Sequence, residues 1–230
     1  MPPPPFRPLF LLLLALCLPA FAIAHTNPAR FQSALEAMRT ADAENPPPAG
    51  AVFLLGSSIL AQWTEAPDHL APLPVSNRAV GGSLTEDMVA GFDTFIGPHT
   101  PAVVVYYCGS NDLKRGVPVE TAFAHFVAFD QRLRAERPET ILVYISSMKS
   151  PDRRDWWERV DHYNTLVRDH LATYPNRHYF NFHPAVHDSA GEPLTELFQP
   201  DELHLLPPAY ERIGEILRPF LSGLLETQMP

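Results

Sequence analysis

Cysteine is scarce in this chain: Cys17 and Cys108 are the two in 230 residues. Even they are not expected to meet, because Cys17 lies in a segment that reads as a removable leader. A mature chain holding Cys108 alone cannot form an intramolecular disulfide, so its stability must come from a packed core. Long hydrophobic runs are missing as well. The apolar run at residues 9–16 is too short to cross a bilayer, and no later run is long enough. Positive charge is also in deficit, with 17 basic against 26 acidic side chains and a net charge of -9. That balance argues against nucleic acid or an anionic membrane as the main partner. No internal repeat and no low-complexity stretch follows residue 50.

What is present points first to export. Arg7 supplies a thin positive region, residues 9–16 an apolar one, and Ala22-Ile23-Ala24 a small-residue cleavage pattern. Residues 1–24 therefore read as a signal peptide cut before His25, giving a secreted or periplasmic protein. A lipoprotein reading with Cys17 as the acylated residue is disfavoured by bulky Leu16 before it. Residues 25–49 read as a helix (28–43) followed by a stiff linker, Asn45-Pro46-Pro47-Pro48. The remainder, residues 50–230, is long enough for one α/β domain and too short for two.

Within it, strand-like apolar runs at 51–55, 74–77, 102–107, 141–145 and 178–182 alternate with helix-like stretches. Those stretches are 84–96, 119–136, 156–173 and 208–225, with Pro118 and Pro208 at plausible first-turn positions. Strands without polar alternation, separated by amphipathic helices, predict a five-stranded parallel sheet covered on both faces. This is a doubly wound, flavodoxin-like three-layer α/β/α sandwich, a fold that binds ligands outside the carboxyl ends of its strands.

The polar residues expected at those ends come in four groups: Gly56-Ser57-Ser58, Asn77 to Ser83, Cys108 to Asp112, and Asp201-Glu202-Leu203-His204. Each has a plain structural reading. Ser58 could cap a helix, Gly81-Gly82 could be a tight turn, Asn111-Asp112 a cap, and His204 a hydrogen-bonded surface histidine. Together and in this order, over residues 52–221, they resemble the SGNH (GDSL-like) hydrolases, named for a Ser, a Gly, an Asn and a His in four blocks. The likeness is to the bacterial branch in which the first block reads Gly-Ser-Ser and continues to a tryptophan, here Trp63. Ser57 stands where the usual block has Asp. That Asp is not the triad acid, so the chemistry should survive.

The resemblance implies a carboxylic-ester hydrolase with Ser58 as nucleophile and no metal or organic cofactor. Serine needs a neighbouring base, and histidine is the side chain suited to moving a proton out and back near neutrality. His204 takes that role, with Asp201, three residues earlier, fixing its tautomer. The resemblance assigns the oxyanion donors to the backbone N–H groups of Ser58 and Gly82 and the side-chain amide of Asn111. Glycine at 82 lets a backbone donor approach substrate without a Cβ in the way. Leu60 excludes the Gly-x-Ser-x-Gly elbow of ordinary α/β-hydrolases. Short-chain acyl or sugar O-acetyl esters are the expected substrates. Lysophospholipase, thioesterase and non-catalytic binding roles are the alternatives on the same fold.

Other groups carry weaker expectations. His183, His187 and Asp188 could suggest a metal site, but Pro184 and the missing Glu of the zinc-protease pattern speak against it. Trp156, Trp157, Arg153 and Arg154 could grip a sugar or pack a helix with a solvated basic edge. Trp63 and Tyr107 could line the site or fill the core. Cys108 reads as a small buried residue, not a nucleophile.

Overall fold

A computed structural model describes residues 28–227, with side chains from Phe31 onward. The leader at 1–24 lies outside the described residues. Helix α1 (Pro28–Glu44) precedes strand β1 (Val52–Gly56), which leads through short helices α2 (Ser58–Ala61) and α3 (Ala66–His69) to β2 (Val75–Asn77). Then come α4 (Thr85–Ala90), α5 (Phe92–Phe95), β3 (Val103–Tyr107), α6 (Ser110–Lys114) and α7 (Val119–Glu136). Strand β4 (Ile141–Ile145), helix α8 (Trp157–Leu171), β5 (Arg177–Phe180), α9 (His183–Val186) and α10 (Pro207–Glu226) complete the order.

The five strands are all parallel, in the order β2-β1-β3-β4-β5. Every residue of β1, β3 and β4 is buried, which is why each reads as an unbroken apolar run. Alternation along the strands sends side chains to two separate cores. Phe53, Leu55, Val104, Tyr106, Leu142 and Tyr144 face a layer with Met88 (α4), Phe92 (α5), Phe126 and Phe129 (α7) and Val160 (α8). Val52, Leu54, Val103, Val105, Val143 and Ile145 face Ile59, Ala66, Val186, Ile213 and Leu217 of α2, α3, α9 and α10. Burying such a side chain stabilises by roughly 1.5–3 kcal/mol, so the two layers dominate stability.

Helix α1 docks against the first layer through Phe31 and Leu35. Asp42 on its last turns accepts two hydrogen bonds from Arg78, at 2.8 and 2.7 Å, and contacts His99 at 3.0 Å.

Two helical expectations are refined. The stretch 84–96 is two helices, broken at Gly91, whose low helix propensity coincides with close packing against the Phe95 and Phe31 rings. The stretch beginning at 156 opens with a 3-10 turn, Pro151–Trp156, before α8. Pro118 is the N-cap of α7 and not in its first turn, whereas Pro207 and Pro208 do open α10.

Chain order against spatial order places β2 on one side of β1 and β3 on the other. That reversal opens a crevice at the carboxyl ends of β1 and β3.

Candidate active site

Strand β1 ends in Gly56 at φ 136°, where a Cβ would stand 1.8 Å from the Tyr107 carbonyl oxygen. Glycine is required because neighbouring β3 occupies that space. The next residue, Ser57, donates its N–H to Tyr107 O at 2.9 Å, and Val80 N–H donates to Gly56 O at 2.9 Å. Ser57 is the N-cap of α2, although its hydroxyl makes no capping bond. Ser58 is therefore not spent on a cap. It is the first helical residue, partly exposed, on the wall of a cavity of about 660 Å³.

Gly82, Asn111 and His204 line that same cavity, with Gly81, Lys114, Arg115, Arg153 and Leu203. Gly82 has φ 78°, a left-handed conformation, and neither its amide nor that of Ser58 has a backbone partner among the described residues. Asn111 sits in the first turn of α6, not at its cap. Its Nδ2 donates to Ser83 O at 3.1 Å, and its Oδ1 accepts from Arg153 Nη2 at 3.2 Å. The following residue, Asp112, is buried and accepts from Thr85 N–H at 3.1 Å and Thr85 Oγ1 at 2.6 Å. Those bonds tie the loop after β2 to the loop after β3. Burial raises the Asp112 carboxyl to about 6, with the Thr85 bonds opposing it.

The fourth group is a closed loop. Phe198 and Leu205 pair as an antiparallel bridge, and Gln199 N–H donates to His204 O at 2.7 Å. At its tip Glu202 has φ 57°, left-handed for a non-glycine residue and costing about 1–2 kcal/mol. This turn brings Asp201 back onto His204. Oδ2 is 2.5 Å from His204 Nδ1, while Oδ1 accepts the amides of Leu203 at 3.1 Å and His204 at 2.9 Å. Desolvation, the largest single influence, pushes the Asp201 carboxyl up. The hydrogen bond to the His204 ring and then those to the two amides outweigh it, bringing the group down to about 2. An ionised Asp201 makes Nδ1 the protonated nitrogen and leaves Nε2 as the basic one. No hydrogen bond joins Ser58 Oγ to His204 Nε2 among the described residues; the two meet as walls of one cavity.

The weaker candidates separate. Trp63 and Tyr107 are 0% and 1% exposed, inside the second core, and do not line the cavity. Trp63 stacks on Tyr210 and donates to His69 Nδ1 at 2.9 Å. Cys108 is fully buried, which pushes its thiol pKa up and removes it as a nucleophile. The His183 and His187 rings lie 4.7 Å apart, tilted by 47°, in a different groove, their Nε2 atoms on the carbonyls of Ser147 and Lys149 at 3.1 and 2.9 Å. Trp157 donates to Ser150 O at 3.0 Å, and Arg154 covers its ring while pairing with Glu192 at 2.6 Å. Of that aromatic and basic group, Arg153 alone reaches the cavity wall.

The pattern of the GDSL-like lipase/acylhydrolase family matches residues 54–212, the span that carries every group just described. The chain belongs to this family. No curated protein sequence matches it. Solved structures share its fold. A Streptococcus pneumonia protein named for platelet activating factor is 18% identical with a TM-score of 0.75, over 84% of this chain and 94% of its own. A GDSL-like lipase from Bacteroides thetaiotaomicron is 16% identical with a TM-score of 0.68, over 84% and 98%. A Clostridium thermocellum family 3 carbohydrate esterase is 15% identical with a TM-score of 0.62, over 79% and 100%.

Proposed function

We propose that this acylhydrolase cleaves short-chain carboxylic esters, sugar O-acetyl esters among them, with Ser58 as nucleophile. The observation that carries the reading is the common cavity of Ser58, Gly82, Asn111 and His204, with Asp201 bonded to the far side of the His204 ring. His204 Nε2 takes the Ser58 proton as Oγ attacks the ester carbonyl, and returns it to the departing alcohol. Charge on the former carbonyl oxygen falls to the amides of Ser58 and Gly82 and to Asn111 Nδ2, donors fixed before the reaction begins. Water, deprotonated by the same histidine, then releases the acid from the acyl-enzyme.

Acyl size follows from the lining. Leu203 is the one large apolar side chain on a wall that is otherwise glycine, polar or basic. Beyond Leu203 no large apolar side chain extends the wall, so each further CH₂ of a longer acyl chain gains little of the roughly 0.8 kcal/mol that full burial would give. The carbohydrate esterase among the structural neighbours is in keeping with an ester on a sugar. We further propose export, on the cleavage pattern Ala22-Ile23-Ala24. No helix among the described residues is long and apolar enough to cross a membrane.

The test is kcat/KM for p-nitrophenyl esters from acetyl to palmitoyl, with acetylated polysaccharides alongside. We expect the highest values for acetyl to butyryl esters and flat or falling ones beyond about eight carbons. A steady rise from butyryl to palmitoyl would point instead to a lipase or lysophospholipase.

A further inference from the structure

Three basic side chains stand on the cavity wall, and they differ in kind. Lys114 and Arg115 are exposed, whereas Arg153 is 3% exposed. It is held by the 3-10 turn Pro151–Trp156, at a residue whose φ of -119° departs from helical geometry. Its Nε and Nη1 are buried without a hydrogen-bond partner. The nearest carboxylate oxygen, Asp152 Oδ2, is 3.7 Å from Nε and is shared with Lys114 at 3.4 Å. Burial pulls the Arg153 pKa below its usual value, but a guanidinium stays charged in a protein. Even with Asp152 as its counter-ion, a buried cation whose Nε and Nη1 make no hydrogen bond is expensive to keep.

A substrate anion does not explain it, because Nε and Nη1 are closed even to water. What Arg153 offers the site is Nη2, spent at 3.2 Å on Asn111 Oδ1. On its other side Asn111 donates through Nδ2 to Ser83 O at 3.1 Å. Arginine has no acceptor and a carbonyl has no donor, so the amide of Asn111 is locked in one orientation. One Nδ2 hydrogen goes to Ser83, and the other is left for the oxyanion. A positive charge on Oδ1 also draws electron density through the amide and makes Nδ2–H a stronger donor.

We propose that Arg153 is a positioning residue that orients and strengthens Asn111 as an oxyanion donor. The proposal rests on the assignment of Asn111 to the oxyanion site. It accounts for the charge in so dry a place: the guanidinium acts through one intervening amide and does not touch substrate.

The test is a double-mutant cycle on p-nitrophenyl acetate with Arg153→Met, Arg153→Lys, Asn111→Ala and the Arg153→Met/Asn111→Ala double variant. Methionine replaces the stem without adding a buried polar group. Removing an oxyanion donor outright costs about 10²–10³ in kcat, and misorienting it should cost part of that, so Arg153→Met should lower kcat by about 10–100-fold with KM within about twofold. Arg153→Lys, which keeps the charge and an N–H donor for Asn111 Oδ1 but loses the planar guanidinium, should recover part of the loss. The double variant should be within about threefold of Asn111→Ala alone, since the two residues act as one unit. Fully multiplicative losses, or a raised KM with unchanged kcat in Arg153→Met, would overturn the proposal. Should Arg153→Met fail to fold by circular dichroism, Arg153→Lys runs the same cycle under the same criteria. Full kcat in Asn111→Ala would remove the oxyanion assignment itself, and this proposal with it.

Discussion

Replacing Asp201 with asparagine would separate two jobs done by one carboxylate. Oδ1 holds the loop by accepting the Leu203 and His204 amides at 3.1 and 2.9 Å, and Oδ2 holds the imidazole at 2.5 Å. Asparagine keeps an oxygen for the two amides, so the loop remains closed. Its NH₂ group then faces His204 Nδ1, and two N–H donors cannot share that distance. The imidazole answers by carrying its proton on Nε2, which gives Ser58 a donor where it needs a base. The wrong tautomer costs a buried serine triad roughly 10⁴ in kcat. Here the acid's side chain is 49% exposed, so water competes for its place. The expected loss is therefore about 10³–10⁴, or roughly 4–5.5 kcal/mol. Alanine loses the loop contacts as well, two hydrogen bonds of about 1 kcal/mol each, and should melt roughly 4–8 °C lower. Steady-state kinetics on p-nitrophenyl acetate and thermal melts of both variants make the comparison. An Asp201→Asn enzyme that melts like wild type and keeps kcat within tenfold would refute the argument. The carboxyl sits at about 2, below its ordinary 3.8. Its stabilising contribution is complete above the ordinary value and is lost as pH falls through about 2. An acid limb in activity above pH 4 would therefore not be the titration of Asp201.

Three further outcomes are expected. Ser58→Ala should lower kcat by about 10³ or more with an unchanged melting temperature, and should abolish labelling by a fluorophosphonate; near-normal turnover would remove Ser58 as nucleophile. Gly56→Ala sets a Cβ 1.8 Å from Tyr107 O at φ 136°. It should lower the melting temperature by roughly 5 °C or more, and an unshifted melt would show that β1 and β3 part freely there. Asp112 has its folded pKa raised to about 6 from 3.8, so the native state loses stability as pH rises through that interval. Relative to wild type, Asp112→Asn should fare better at pH 7 than at pH 4 by up to about 3 kcal/mol, and a pH-independent difference in denaturant melts would contradict the shift.

How much of this was legible in the sequence depends on what each residue touches. Strands β3 and β4 were plain because burial on both faces leaves an unbroken apolar string. Strand β5, at the sheet edge and only partly buried, gave a weak signal, expected at 178–182 and found at Arg177–Phe180. Helices α2, α3, α6 and α9 have four or five residues, too few for a 3.6-residue period to show. Tyr107 ends β3 next to the site, yet its ring enters the core beside Phe182. With both faces of the sheet covered, alternation cannot say which aromatic is near the mouth. Arg153 is harder still. It meets Asn111 across 42 residues of chain, through a turn whose geometry no local pattern specifies.

The candidate site is built in two parts that are tied down in different ways, and the chemistry proposed for each part accounts for the difference. Ser57 is bonded to Tyr107, Val80 to Gly56, Asn111 to Ser83 and Thr85 to Asp112, so the loops after β1, β2 and β3 are cross-linked in pairs. Donors that stabilise an oxyanion lower the barrier only if they are in place beforehand, since reorganising them during reaction would return the gain. The Asp201–His204 loop is tied down at its base by the Phe198–Leu205 bridge and by Gln199, which donates to Gln62 at 3.1 Å and to Leu205 O at 2.9 Å. Its tip is half exposed and strained at Glu202. A general base must swing its proton between serine, leaving alcohol and water, so it needs a fixed tautomer more than a fixed position. On the proposed mechanism Asp201 supplies the first through Oδ2, and its Oδ1 bonds to the Leu203 and His204 amides hold the pair as one unit. On that mechanism the tautomer is thus fixed within the Asp201–His204 loop itself, by bonds separate from those that hold the oxyanion donors.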